Sequence, residues 1–332
     1  MNETPLAVEP KKNARKILFF FAKTAVAVAL IYWLVRQNRL DFSQLERLEF
    51  DAPTLSLLMA AALSVFVSVF VLAWRLKILL DYQGIRITFG RSTALTFVGA
   101  FFGTVLPGLV GGDVIKAMYI CTDAPDRRPE AVAAVMVDRL IGLYALLLLG
   151  TLALGAGLAT GMLPVETPIL AAAPVAVGLG TLAMLLLAWP RLRRSRPVQW
   201  LFSLAPHKGQ DLMKALTRFV KSPRVMAQVV GLSLVNHILV VLSFVTTAWA
   251  LGDRLPVLAH FILNPLAMAM NAIALTPGGI GLAEGAFSIL FEAAGSSNGA
   301  MIGLLGRLIA YAVFMLGGVA ALLVTKTGRK AE

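Results

Sequence analysis

Long apolar runs alternate with short polar stretches along the chain, and this pattern predicts membrane-spanning helices. A helix that crosses the hydrocarbon core of a bilayer needs about 20 mostly apolar residues. Six segments meet this requirement without interruption, at about residues 17–35, 52–74, 131–158, 168–189, 225–251 and 300–324. The hydrophobic pattern therefore predicts an all-α, polytopic integral membrane protein with six full spans.

Two further apolar segments, at about residues 92–121 and 257–295, contain helix-breaking residues. Proline removes a backbone donor and glycine loosens a helix, so a continuous helix is not expected through either segment. The predicted breaks are Pro107, Gly108, Gly111 and Gly112 in the first segment and Pro277, Gly278, Gly279 and Gly281 in the second.

The charged residues predict which ends of the spans face the cytoplasm, because cytoplasmic loops of membrane proteins carry an excess of Lys and Arg. Basic residues are concentrated in both tails and in the stretches 75–91 and 190–224. The stretches 36–51, 160–168 and 252–256 have no such excess. We therefore expect both termini, the loop 75–91 and the basic 190–224 loop to be cytoplasmic.

With this orientation, each interrupted segment must leave the membrane on the side from which it enters. We expect the first segment to enter from the cytoplasm and the second from outside, each as a re-entrant pair of half-helices. Such a pair is stable only where protein or a water-filled cavity covers the exposed backbone. A fold of eight transmembrane helices is the alternative.

The two interruptions resemble each other, which indicates an internal repeat. Residues 104–113 and 274–284 align at their proline and glycine positions, and Arg-Leu-Ile follows in the next span of each half. Since the two pairs are expected to open on opposite sides, the repeats have inverted topology, with a binding site expected at their interface. The predicted organisation is a single membrane domain at residues 17–324, with an N-terminal tail (1–16) and a C-terminal tail (325–332). Within this domain, the two repeats are residues 17–159 and 168–324, joined around residues 160–167.

Charged and polar residues within or beside the spans are the candidate functional residues. Arg139 and Arg307 lie inside spans, where a charge is costly unless it faces a partner or a wet cavity. One interpretation is structural: each arginine snorkels to the membrane surface or forms an ion pair with Asp113 or Glu284. The other is functional: both arginines point into one shared cavity and bind phosphate through their planar guanidinium groups. The two acids are either helix caps or charged members of that site. The candidate lipid-headgroup residues are Arg139, Arg307, Asp113, Glu284, Lys116 and Asn271.

The composition excludes several function classes. Hydrophobic residues make up 58% of the chain and charged residues only 14%, against about 25% charged in soluble domains. The formal net charge of +12 is typical of basic cytoplasmic loops, and no nucleic-acid motif accompanies it. With one cysteine, three dispersed histidines and no GxxxxGK[ST] motif, we expect no metal site, no cofactor and no ATPase machinery.

Four motifs resemble the flippase-like family that includes the transmembrane region of lysylphosphatidylglycerol synthase. They are LPGLVGGDVIKA, VDRLIGLYALLLL, LTPGGIGLAEGAF and GRLIAYAV, and the resemblance runs from about residue 17 to 324. The sequence differs at Leu109, where the family commonly has glycine, and at Lys116, where it commonly has arginine. Full-length synthases add a soluble aminoacyl-transferase domain, which we do not expect here because the chain stops at Glu332. The resemblance therefore implies lipid translocation rather than aminoacylation.

The leading hypothesis is a non-enzymatic lipid flippase or transporter in the cytoplasmic membrane of a bacterium. It would move a phospholipid or another polar-headgroup lipid. The expected partners are anionic or phosphate-bearing lipids, and a separate lipid-modifying enzyme is a further candidate partner. We expect no nucleic acid partner. One alternative is a membrane-embedded lipid-modifying transferase, for which only Asp113, Asp138, Glu284 and Glu292 supply carboxylates. The other is a scaffold for a lipid-modifying or lipid-linked glycan enzyme.

Overall fold

The structure of the protein, a computed structural model, describes residues 28–37, 39–40, 50–105, 111–161, 168–188, 214–215, 217–219, 221–270 and 280–328, together with Ala25, Ser43 and Leu48. Every regular element in these residues is a helix. Four helices are long and apolar enough to cross a membrane: Ala52–Tyr82, Pro125–Thr160, Pro223–Ala250 and Gly299–Val319. The prediction of an all-α protein with apolar spans is confirmed at this level.

Ten of the helices in the described residues fall into two sets of five in chain order. The first set comprises α1 (28–36), α2 (Ala52–Tyr82), α3 (Phe89–Val105), α4 (Gly111–Asp123) and α5 (Arg128–Thr160), with a 3-10 turn at Pro125–Arg127 before α5. The second set comprises α6 (Ala172–Ala188), α7 (Pro223–Ala250), α8 (Val257–Ala269), α9 (Leu282–Ala293) and α10 (Gly299–Gly328), with a 3-10 turn at Pro168–Ala171 before α6.

Helix α2 is longer than its apolar run predicts. The Asp51 carboxylate caps its first turn by accepting a hydrogen bond from the Thr54 amide at 2.9 Å, and this bond lowers the pKa of Asp51. Its other end continues to Tyr82 because Leu76 and Leu79 are almost completely buried against neighbouring helices. The expectation of a cytoplasmic loop beginning at residue 75 is therefore wrong, and Arg75 lies buried inside α2.

The first predicted interruption lies between two short described helices, and Gly111 and Gly112, which the sequence predicts as breaks, are the first two residues of α4. Helix α3 has 17 residues and α4 has 13, so at 1.5 Å per residue they are about 25 and 20 Å long, less than the roughly 30 Å hydrocarbon core. A Cβ atom at Gly112 would lie 2.8 Å from the Gly103 amide nitrogen. The glycine at position 112 therefore allows the backbones of α3 and α4 to pack closely as a hairpin.

The second interruption has the same form. Helices α8 and α9 have 13 and 12 residues, so neither alone reaches across a bilayer. They pack side by side, with the ring centroids of His260 and Phe291 5.4 Å apart. Gly281, which precedes α9, has a φ of 84°, a left-handed conformation that favours glycine. The other predicted breaks (Pro107, Gly108, Pro277, Gly278 and Gly279), together with Asn271, lie outside the described residues.

The outer ends of each short-helix pair meet at one end of the helix bundle. In the first set, Arg91 at the start of α3 pairs with Asp123 at the end of α4 at 2.9 Å. In the second set, Asp253 before α8 accepts a hydrogen bond from the hydroxyl of Ser296, which follows α9. Each pair therefore leaves and rejoins the bundle at the same end.

The two short-helix pairs open at opposite ends of the bundle, because α2 and α7 pack antiparallel. Arg75 near the end of α2 donates a hydrogen bond to the Ser233 hydroxyl near the start of α7 at 2.8 Å. The Tyr82 hydroxyl at the end of α2 donates to the Arg218 carbonyl, which precedes α7, at 2.9 Å. The C-terminal ends of α2 and α7, from which the two pairs begin, consequently lie far apart.

The packing is also symmetric between the two sets. The last helix of each set packs on the third helix of the other set: α10 packs on α3, and α5 packs on α8. The central helices α2 and α7 each contact both α5 and α10. Helix α1 packs against the start of α10 through Leu34, Ala300 and Met301, as α6 packs against α5. Exchanging the two sets of helices therefore reproduces this pattern of contacts, with α2 and α7 at the centre.

Candidate functional site

A polar cavity of about 400 Å³ lies among helices from both sets. It sits where α2, α3, α4 and α5 meet α7, α8 and α10. Its charged and polar lining residues are Arg75, Thr96, Thr104, Asp113, Lys116, Asp138, Arg139, Asn236, His237 and Tyr311. A cavity with five charged side chains inside a bundle of apolar helices is the candidate functional site.

The buried part of the site is a network around Asp138 on α5. The Arg75 guanidinium donates to one Asp138 oxygen at 2.7 Å, and the Lys116 ammonium donates to the other at 3.1 Å. Arg75 is 4% exposed, and Lys116 and Asp138 are each 7% exposed. Charges are costly in such surroundings unless paired, and here each has a partner with good geometry.

The more accessible part of the site is formed by Asp113 and Arg139. The Asp113 carboxylate lies 3.2 Å from the Lys116 ammonium and 3.3 Å from the Arg139 guanidinium. The Arg139 side chain is 50% exposed, whereas that of Asp113 is 18% exposed. Arg139 therefore presents its guanidinium at the cavity wall while remaining tied to an acid on α4.

The described lining carries a net positive charge. Arg75, Lys116 and Arg139 are cations, and Asp113 and Asp138 are carboxylates, so one positive charge is left over. The neighbouring His237 is held to α5: its Nε2 lies 2.8 Å from the Gly142 carbonyl oxygen and donates to it. A cavity of this charge favours an anionic group over a cationic one.

Three of the predicted site residues come together in this cavity. Asp113, Lys116 and Arg139 all line it, and Lys116 bridges the two carboxylates there. The expectation of an ion pair between Arg139 and Asp113 is confirmed.

Arg307 and Glu284 form a separate ion pair in the second set of helices. The Arg307 Nε lies 3.2 Å from a Glu284 oxygen, and the other Glu284 oxygen accepts a hydrogen bond from the Gly281 amide at 2.7 Å. Glu284 is thus both a helix cap and an ion-pair partner. Arg307 is not among the described residues that line the 400 Å³ cavity, and a common function of the two arginines stays a prediction.

The structure adds two charged residues to the site, Arg75 and Asp138. The charge pattern predicts a loop at Arg75, and the sequence suggests Asp138 only as a carboxylate for the transferase alternative. A signal was present for Arg75: apolar residues at 76, 78, 79 and 80 continue beyond it, which is typical of a helix that extends past its first charge. No local signal indicates that Arg75 contacts Asp138, 63 residues away.

The comparisons with known proteins agree with this architecture. The family model described as the lysylphosphatidylglycerol synthase TM region matches residues 20–318. No curated protein matches the chain. The resemblance expected from the four motifs is confirmed. Together with the four helices in the described residues that are long and apolar enough to cross a membrane, the match shows that the chain is a multi-pass membrane protein that belongs to the lysylphosphatidylglycerol synthase transmembrane-region family.

Proposed function

We propose that the protein is a lipid transporter that moves a phosphate-bearing lipid across the cytoplasmic membrane of a bacterium. The observation that carries this proposal is the cavity among apolar helices whose described lining has three cationic and two anionic side chains. A headgroup that crosses a bilayer must exchange its water for protein donors. Arginine and lysine side chains supply donors that suit phosphate oxygens.

The proposed transport architecture is an inverted repeat, with the short-helix pairs as re-entrant hairpins. Two observations support it: the helices of each pair are shorter than a bilayer, and the pairs open at opposite ends of the bundle. In inverted-repeat transporters the binding site lies near the interface of the halves, and broken helices line it. The cavity has this position, because residues of α7, α8 and α10 complete a lining supplied mainly by the first set.

This topology predicts that the loops after the two hairpins face opposite sides of the membrane. In a Cys121→Ser background, cysteines replacing the exposed residues Asp126 and Ser297 should react with an impermeant thiol reagent from opposite sides. Following the positive-inside argument, residue 126 should be labelled from the cytoplasm and residue 297 from outside. Labelling of both positions from the same side would contradict the inverted repeat.

Arg139 is the proposed contact for the headgroup phosphate. It lies at the accessible side of the cavity, and its guanidinium is positioned by Asp113. Lys116 and Arg75 lie deeper and supply positive charge that Asp138 partly neutralises. A lipid phosphate at Arg139 would compensate the single positive charge left over in the lining.

The contacts of the acids favour transport over a transferase reaction. Asp113 and Asp138 are held in ion pairs within the cavity, and Glu284 is buried against Arg307. Glu292 pairs with Arg39 at 3.0 Å. Each of the four carboxylates that the transferase alternative would use therefore already has a cationic partner in the structure.

A vesicle assay tests the proposed function directly. The purified protein is reconstituted into vesicles containing phosphatidylglycerol labelled with a dithionite-sensitive fluorophore. We expect dithionite to bleach lipid of both leaflets in vesicles with protein and only the outer leaflet in protein-free vesicles. Absence of protein-dependent bleaching for anionic and zwitterionic phospholipids alike would contradict transport of phospholipids, and a chemically altered labelled lipid would favour the transferase.

A further inference from the structure

The two halves differ at the position of the buried charged network. Aligning Arg-Leu-Ile of α5 with Arg-Leu-Ile of α10 places Gly306 opposite Asp138. Aligning the paired acids Asp113 and Glu284, each of which contacts the arginine of its own half, places Phe287 opposite Lys116. The second half therefore has no carboxylate or ammonium group at these two positions.

An aromatic pair occupies this region of the second half. The rings of Phe244 and Phe287 stack with centroids 5.1 Å apart and an interplanar angle of 30°. A Cβ atom at Gly306 would lie 2.5 Å from the Phe244 ring, and one at Gly303 would lie 2.9 Å from the Phe287 ring. Phe244 contacts Gly306 in the second half, and Arg75 contacts Asp138 at the corresponding position of the first half. Because Gly303 and Gly306 have no side chains, both rings can pack against α10.

The charged network and the aromatic pair lie at different depths. Arg75 contacts Ser233 on α7, and Phe244 lies eleven residues further along the same helix, which is about 16 Å at 1.5 Å per residue. The cavity-lining residues Asn236 and His237 lie between these two levels. The aromatic pair consequently lies beyond the cavity, toward the end of the bundle where α8 and α9 open.

We propose that Phe244 and Phe287 form a gate that closes the second half of the transport path. The inference rests on the proposed transport function, and it assigns the path a charged network in the first half and an aromatic closure in the second. Phe244 is 9% exposed and Phe287 is 2% exposed, and neither is among the described residues that line the cavity. The stacked rings therefore fill the bundle beyond the cavity, between its lining and the open end of the second hairpin. Opening toward the second hairpin requires the two rings to separate, whereas the charged network keeps the opposite half polar.

Thiol accessibility tests the gate without requiring transport. The reporter is a cysteine in place of the cavity-lining Leu146, in a Cys121→Ser background. An impermeant thiol reagent is added to vesicles from the side of the second hairpin, and a separate Ser297→Cys variant measures the fraction of molecules oriented that way. We expect slow labelling with both phenylalanines present, and labelling at least about threefold faster in Phe244→Ala and Phe287→Ala, because loss of the closing contact raises the open population.

Phe219→Ala is the matched control. Phe219 is also almost completely buried, but its ring packs on Tyr82, with centroids 5.4 Å apart, at the end of the bundle opposite the second hairpin. Labelling in this variant should stay at the parent rate, so equal rates in all three alanine variants would overturn the gate. If the alanine variants at 244 or 287 do not purify as monodisperse protein, Phe244→Leu and Phe287→Leu are scored by the same criterion.

The gate and the transport proposal can fail independently. Faster labelling in the gate variants, without lipid transfer by the unmodified protein, supports the aromatic closure and contradicts transport. Lipid transfer by the unmodified protein, with labelling unchanged in every variant, supports transport and overturns the gate.

Discussion

Replacing Asp138 with asparagine is expected to destabilise the folded protein more than any other single change of charge in the cavity. Asp138 is the shared partner of Arg75 and Lys116, at 2.7 and 3.1 Å, and all three side chains are buried. Removing one partner of a buried ion pair leaves an uncompensated charge and costs about 3–5 kcal/mol. The free energy of unfolding, measured in mixed detergent micelles, should fall by about this amount.

Asp81→Asn provides a matched control in α2. Asp81 pairs with Lys77 at 2.6 Å, but the two side chains are 40% and 31% exposed, and an exposed helical pair contributes only about 0.2–0.5 kcal/mol. A double variant, Arg75→Met with Asp138→Leu, should lose less stability than the sum of the two single changes. Both members of the Arg75–Asp138 pair are then removed together, and Lys116 keeps Asp113 as its partner at 3.2 Å. A loss in Asp138→Asn no larger than in Asp81→Asn would contradict the buried network.

Replacing Arg139 with glutamine is expected to slow lipid transfer about tenfold while changing stability little. A hydrogen bond to a charged group contributes about 1.5–3 kcal/mol, and 1.4 kcal/mol corresponds to about a tenfold change. We expect the lower end because the Arg139 side chain is 50% exposed. Arg139→Lys should keep the charge but lose the planar bidentate geometry, and therefore restore transfer only in part. The vesicle bleaching assay measures both variants.

Arg91→Gln is the control for this comparison. Arg91 makes two hydrogen bonds to Asp123, at 2.9 and 3.0 Å, at the open end of the first hairpin and outside the described cavity lining. Its loss should leave the rate of lipid transfer near that of the parent protein. Folded Arg139→Gln protein with undiminished transfer would identify Arg139 as a structural residue and would require another headgroup contact.

Local sequence features were sufficient to predict much of the helical framework. Apolar runs predict where spans lie because each residue in a bilayer contributes its own transfer free energy. Proline and glycine predict the breaks because they act on the backbone where they stand, and described helices end or begin beside both predicted interruptions. The pairing of Arg139 with Asp113 and of Arg307 with Glu284 was one of the two interpretations open from the sequence.

The buried network could not be predicted in the same way. Arg75 stands at the end of an apolar run, where sequence reasoning expects a loop, and its partners Asp138 and Ser233 are 63 and 158 residues away. Lys116 could equally have snorkelled to the membrane surface. Its burial depends on the close approach of α3 and α4 at Gly112 and on the position of α5 beside them.

The sequence by itself determined that this is an all-helical membrane protein with two interrupted segments and a family resemblance spread over nearly the whole chain. These features follow from transfer free energies and backbone conformations that single residues or short runs possess independently of their surroundings. Only the tertiary structure decided that Asp138 joins a buried network with Arg75 and Lys116, whereas a stacked phenylalanine pair occupies the corresponding region of the second half. The reason is physical: the cost of a buried charge, and the space for a ring, depend on side chains that distant segments bring into contact.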